Sequence, residues 1–195
     1  MYLLLLCSLT VAAIAIDRFL LYRRASQGAR VLEADVAAAL RKKKLDEVAP
    51  AVKGKDNMVA YLVQSAVDAR AAGEDVPMTL EAVYGEAAML LRARLNYLST
   101  IVTLAPLLGL LGTISGMIQS FSVFNLQAGQ PMAITGGIGE ALIATATGLL
   151  VAIFALVVHT YFAQRMDTML TLLEKTMNTL LAGFVAADGG RSHAS

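Results

Sequence analysis

Residues 95–164 form a run of 70 residues that carries a single formal charge, Glu140. No other feature narrows the fold as much. A helix crosses the roughly 30 Å hydrocarbon core of a bilayer with about 20 apolar residues, so this run is long enough for two spans. The other 125 of the 195 residues hold the remaining 30 charged side chains, an ordinary density for soluble protein. The chain therefore has a lipid-like part and a soluble-like part, with one carboxylate left inside the former. The single Cys excludes a disulfide scaffold, and the net charge of +1 excludes a nucleic-acid binder driven by bulk charge. A hydrophobic share of 57% excludes a disordered chain.

A third apolar segment opens the chain, from Tyr2 to Ile16 and on through Phe19, Leu20, Leu21 and Tyr22. Its Ala13-Ile14-Ala15 has the look of a signal-peptide cleavage site. A signal peptide carries positive charge before its apolar run, and here Arg18, Arg23, Arg24 and Arg30 follow it instead. The segment reads as a membrane helix with its N-terminus outside, because positive residues collect on the cytoplasmic side. The prediction is an all-α integral membrane protein with three transmembrane helices, the second and third extended into a cytoplasmic helical domain. The membrane helices cover residues 1–24, 95–124 and 134–163. A cytoplasmic helical domain covers 25–94, a short periplasmic loop 125–133, and a C-terminal cytoplasmic helix and tail 164–195.

Within the soluble-like part, Val31, Leu32, Val36 and Leu40 keep helical spacing. Asn57 is placed to cap a helix bearing Met58, Tyr61, Leu62 and Ala66, which Gly73 ends. Pro77 suits the first turn of the next helix. Leu80, Tyr84, Ala87, Leu91, Leu95 and Leu98 then follow with no breaker between them. That pattern predicts one helix over residues 77–124, on the order of 70 Å long at about 1.5 Å per residue. The third segment continues in the same way through Met166, Met169, Leu170, Leu173, Met177, Leu180 and Leu181. This Met-rich stripe reads as helix packing rather than a cofactor or partner groove. The final GGRSHAS reads as frayed.

In the second segment Gly109, Gly112, Thr113, Gly116 and Ser120 make a narrow stripe of small residues, of the kind that lets membrane helices approach closely. Gly148 is its counterpart on the third helix. Pro106 is expected to bend its helix or to free a carbonyl near Val102. On the third segment Glu140, Ala144, Thr147 and Gly148 share a face, with Thr145 about 140° round from Glu140. An ionised carboxylate in a bilayer is costly unless paired or hydrated, and such groups often mark ion paths. The plainer alternative is a structural Glu that bonds a neighbouring backbone or hydroxyl group. Thr113, Thr145 and Thr147 add hydroxyls that both donate and accept. Beside Glu140 they would solvate a proton or a water chain; alternatively each bonds its own helix. His159 is placed to titrate, or more plainly to be satisfied by water or a carbonyl. With His159 and His193 the only histidines and Cys7 the only cysteine, no metal or nucleophile constellation is expected, and no cofactor. The basic run Arg41-Lys42-Lys43-Lys44 reads as a solvated helix face, with anionic lipid as the alternative contact.

The second segment, TIVTLAPLLGLLGTISGMIQSF, resembles the AP-x-x-GL-x-GT motif region of the MotA/TolQ/ExbB proton-channel family. The third, GGIGEALIATATGLLVAIFALVVHTYF, resembles its G-I-x-EAL-x-AT-x-x-GL-x-x-AI stretch, and Asp17-Arg18-Phe19 its acidic-Arg-Phe signature. Three segments with a large first cytoplasmic loop resemble the ExbB and TolQ branch rather than MotA, which has four. The resemblance implies a pentamer in the bacterial inner membrane, with the second and third helices lining a central pore. It implies a single-span partner similar to ExbD or TolR inside that pore, bearing a proton-accepting Asp. Movement driven by proton flow would pass to a protein similar to TonB or TolA. Membrane lipids are the other expected partner; nucleic acid is not, and no enzyme activity is implied. By motif, Thr113 in GLLGT and Thr145 in EALIAT resemble the pore-facing threonines that serve the partner Asp, and Glu140 the family glutamate of the third helix.

Three departures stand beside the resemblance. Phe154 occupies a place where ExbB and TolQ proteins commonly have Pro, so a kink of the third helix is expected to be missing. The chain begins within its first membrane segment, without the N-terminal amphipathic stretch of some ExbB proteins. The outer loop, NLQAGQPMAIT, is short and neutral. The expected function is a proton-driven motor subunit, against the alternative of a passive oligomeric membrane scaffold.

Overall fold

The structure, a computed structural model, describes residues 2–42, 48–126 and 131–192. Among the described residues every element is a helix: α1 (Tyr2–Ser26), α2 (Ala29–Arg41), α3 (Val48–Val52), α4 (Met58–Ala72), α5 (Val76–Arg92), α6 (Leu95–Leu126) and α7 (Pro131–Ser192). Three helical stretches are long and apolar enough to cross a membrane, and they take in α1 and most of α6 and of α7. The all-α membrane architecture expected from the sequence is thus the one observed.

The chain divides into two compact units. The first comprises Met1–Arg18 and Arg94–Ala163. Along the α6–α7 contact its buried side chains are small, Ala105 and Ser120 on α6 and Ala141, Ala144, Ala152 and Ala155 on α7, while Leu4, Val11 and Ile14 of α1, Leu95, Leu98 and Ile101 at the start of α6 and Phe162 of α7 are the larger buried ones. Large apolar side chains point outward, among them Leu107, Leu111, Ile118, Leu142, Leu150 and Val157. Between α6 and α7, small-in and large-out inverts the soluble pattern and suits helices packed in hydrocarbon, where no hydrophobic force drives big side chains together. Pro106 lies inside α6, which continues through it, and Thr103 donates its hydroxyl to the Thr100 carbonyl at 2.9 Å. Phe154 sits within the uninterrupted α7 with its side chain exposed.

The second unit comprises Phe19–Ala93 and Gln164–Ser195. Its core joins Leu32, Val36 and Leu40 of α2, Val48 and Val52 of α3, Val59, Leu62, Val63 and Ala66 of α4, Leu80, Val83 and Ala87 of α5, and Leu173, Leu180 and Phe184 of α7. The Met-rich stripe serves this packing: Met169 is buried, and Met177 and Leu181 pack against the core. Val31 keeps the helical spacing but faces outward. Asn57 caps α4, accepting the Ala60 N–H on Oδ1 at 2.9 Å while its Nδ2 donates to the Gln27 carbonyl at 3.2 Å. Gly73 ends α4 at φ 74, the left-handed conformation that favours glycine. Asp75 caps α5 by accepting the Met78 N–H at 3.1 Å, with Pro77 in the first turn. The Arg70 guanidinium lies 4.6 Å from the Phe184 ring centre, a cation–π contact between α4 and α7. Glu33 is buried and pairs with Lys175 at 3.1 Å.

Two expectations are corrected. The unbroken helix over residues 77–124 is instead α5 and α6, separated at Ala93 and Arg94. Ala93 is extended (φ −51, ψ 140) and Arg94 has φ 67. A left-handed L-residue costs roughly 1–2 kcal/mol, so tertiary contacts must hold it there. The tail is not frayed from Gly189, because α7 runs to Ser192; extending an existing helix needs no new nucleus. His193, Ala194, Ser195, Lys43, Lys44 and residues 127–130 of the outer loop lie outside the described residues.

Candidate functional site: the α6–α7 seam

The glycine stripe brings α6 and α7 together. A Cβ on Gly109 would stand 3.1 Å from the Ala144 carbonyl oxygen and 3.1 Å from Thr145 Cα. On Gly148 it would lie 2.6 Å from the Ala105 carbonyl oxygen and 3.0 Å from Gly109 Cα. On Gly112 it would meet the Ala144 methyl at 2.7 Å, and on Gly116 the Ala141 methyl at 2.8 Å. One turn further, a Cβ on Gly137 would overlap the Ser120 hydroxyl. Four turns of α6 thus rest almost backbone to backbone on α7, with alanines filling the remaining space.

Thr145 sits at the middle of this seam, half-buried. Its hydroxyl donates across to the Gly109 carbonyl at 3.0 Å. This bond is possible only because Gly109 has no side chain to hold the helices apart. Thr113, one turn along α6, donates to the Leu110 carbonyl at 2.7 Å, and Thr147 on α7 donates to Ile143 at 2.8 Å. All three hydroxyl hydrogens go to main-chain carbonyls, not to Glu140. The Glu140 side chain is exposed in the isolated chain, one turn before the buried Ala144. Of the residues singled out from sequence, the fold joins Gly109, Gly148 and Thr145 directly, and leaves Thr113 and Thr147 half-buried and Glu140 exposed beside them. Among the described residues no group of three or more His, Cys, Asp or Glu is placed to hold a metal.

A polar cluster missed by the sequence reading lies elsewhere in the same unit. Asp17 accepts from Arg18 at 2.8 Å and pairs with Arg94 at 2.9 Å. Arg18 is buried. The available signal was positional: both Asp17 and Arg94 flank apolar segments on the side where charge resumes.

Comparison with known proteins places these motifs. Residues 50–175 match the MotA/TolQ/ExbB proton channel family. The chain is 55% identical over 65 residues to the putative biopolymer transport protein ExbB-like 1 of Synechocystis sp., covering 31% of this chain and 26% of that protein. It is 33% identical over 108 residues to the Tol-Pal system protein TolQ of Pseudomonas aeruginosa, covering 55% and 47%. It is 39% identical over 74 residues to the biopolymer transport protein ExbB of Salmonella typhimurium, covering 37% and 30%. The matched segments span between about a quarter and about a half of these relatives. With its motifs, its three apolar spans and a family match over most of its length, this multi-pass membrane protein belongs to the MotA/TolQ/ExbB proton channel family, in its ExbB/TolQ-like branch.

Proposed function

We propose that the chain is a subunit of an inner-membrane motor driven by the proton-motive force. Five copies would surround a pore lined by α6 and α7, with an ExbD- or TolR-like single-span partner inside it. A TonB- or TolA-like protein would carry the movement to outer-membrane transport or to envelope integrity. In this reading the N-terminus and the loop 125–133 are periplasmic, while residues 25–94 and 164–195 are cytoplasmic. Thr113, Thr145 and Glu140 form the proton pathway, and Gly109, Gly112, Gly116 and Gly148 set the packing that holds it.

The observation that carries the reading is the α6–α7 seam. Close glycine packing fixes Thr145 against α6 and leaves a carboxylate accessible on the same helix, five residues away. Each proton crossing is worth about 2.3 kcal/mol per 100 mV, enough for a few protons to do mechanical work. In a complex reconstituted with its partner, Thr145→Val is expected to lower proton-dependent activity about a hundredfold, the scale of losing one positioned proton-transfer group. Full activity with both Thr113 and Thr145 replaced would overturn the assignment. The Thr145–Gly109 bond itself favours one other reading, a passive scaffold in which Thr145 only ties two helices. That reading predicts stable oligomers whose function ignores a protonophore.

A further inference from the structure

Helix α5 is apolar on two faces. One carries the buried Leu80, Val83, Ala87 and Leu91. The opposite face carries Met78, Ala82, Gly85 and Met89 in one line, and all four are exposed. Met78 is 72% and Met89 73% exposed, and a Cβ on Gly85 would meet nothing within 4 Å. The outer face of a helix in water is ordinarily polar. Glu81 and Glu86, both exposed, flank the line, one on each side.

The same unit has an open groove between α2 and α7, with a volume of about 740 Å³. Its apolar lining is Ala37 and Leu40 of α2 and Ala182, Gly183 and Ala186 of α7. Its charged lining residues are Arg41, Glu174 and Lys175. Lys175 is paired with Glu33, whereas Arg41 is followed by the exposed Lys42, so the α2 wall is basic. The α7 wall, from Thr171 to Ala186, runs about 22 Å, and Met78 and Met89 stand about 16 Å apart along α5. The α5 line therefore fits within the groove in length. It offers side chains to fill the groove and carboxylates to meet the basic wall.

We propose that these surfaces are the two halves of one contact between copies of this chain. The Met78–Met89 face of α5 in one copy seats in the α2–α7 groove of the next, with Glu81 and Glu86 toward Arg41 and Lys42. The halves are different surfaces, so the contact runs head to tail, and such a contact makes a ring where its rotation closes. A second copy satisfies both unpartnered surfaces at once. The inference rests on the ring of copies proposed above and names a part of its interface outside the membrane.

The test uses two tagged full-length chains, co-expressed and held in lipid nanodiscs, both with Cys7→Ser. One carries Ala82→Cys. The other carries Ala182→Cys or, one turn away, Asn178→Cys; all three positions are exposed. Oxidation is expected to give at least about ten times more disulfide-linked dimer from a mixed pair than from either chain alone, because the bond needs Cα atoms within about 7 Å. Glu81→Lys with Glu86→Lys in the first chain is expected to cut that yield about tenfold by setting like charges together, and Arg41→Glu with Lys42→Glu in the second to restore it. If the reversed chain fails to fold, Met89→Ser takes its place and must lower the yield; an unchanged yield overturns the contact. A dimer indifferent to charge reversal overturns it too. So does an equal yield from the Ala82→Cys chain alone, which would mean that α5 pairs with itself. Native mass spectrometry of the same nanodiscs separates the two readings. An oligomer without mixed dimer removes this contact and leaves the ring, whereas a monomer removes both.

Discussion

A hydrogen in place of a methyl group decides how closely α6 and α7 approach. At Gly148 the added carbon would come within 2.6 Å of a main-chain oxygen, and backbone cannot swing aside as a flexible side chain can. Gly148→Ala is therefore expected to destabilise the packed helices by about 1–3 kcal/mol, the usual cost of overpacking. Gly85 on α5 supplies the contrast, because a Cβ there meets nothing within 4 Å. Gly85→Ala is expected to stabilise by roughly 0.5–1 kcal/mol through helix propensity alone. Unfolding of each variant in a mixed detergent titration measures both, and shifts of the same sign would show that glycine contact does not control the seam.

Helix ends were readable where their determinants are local. Asn57, Gly73 and Pro77 each act within a few residues of themselves, so the sequence announces α4 and the start of α5. Asn57 also does something its neighbours do not reveal, since its Nδ2 reaches the Gln27 carbonyl 30 residues earlier. Asn57→Ala should cost about 1–2 kcal/mol through the lost cap and leave that carbonyl short of a donor. A fall in the thermal midpoint checks it, and an unchanged midpoint would deny the cap any weight. The α5–α6 break was invisible for the opposite reason. Neither Gly nor Pro stands within residues 86–98, and the contacts at the break come from α1, more than 60 residues away in sequence. The Thr145–Gly109 bond, across 36 residues, was hidden likewise. Charge counting isolated Glu140, but it gives no orientation for the side chain.

At the scale of the molecule, each unit takes its parts from distant stretches of chain. The core of the second unit needs Leu173, Leu180 and Phe184 from α7 to close over α2, α4 and α5. Burying side chains of this size contributes roughly 1.5–3 kcal/mol each. Together they rival the whole net stability of a domain, about 5–15 kcal/mol. A chain ended after Asp167 keeps all three apolar spans and should still enter the membrane. Its residues 25–93 should become open to limited proteolysis under conditions where the full chain resists; equal resistance would show that the core closes without α7.

A hydroxyl has one hydrogen and two lone pairs. Thr113, Thr145 and Thr147 have each committed that hydrogen to a backbone oxygen. What they offer their surroundings is acceptance only. A water, a hydrated cation or an acid still holding its proton can bond to these oxygens, whereas a bare carboxylate finds no donor in the three side chains. In the proposed pathway the threonines would thus tell the protonated form of an approaching acid from its ionised form, without carrying any charge of their own.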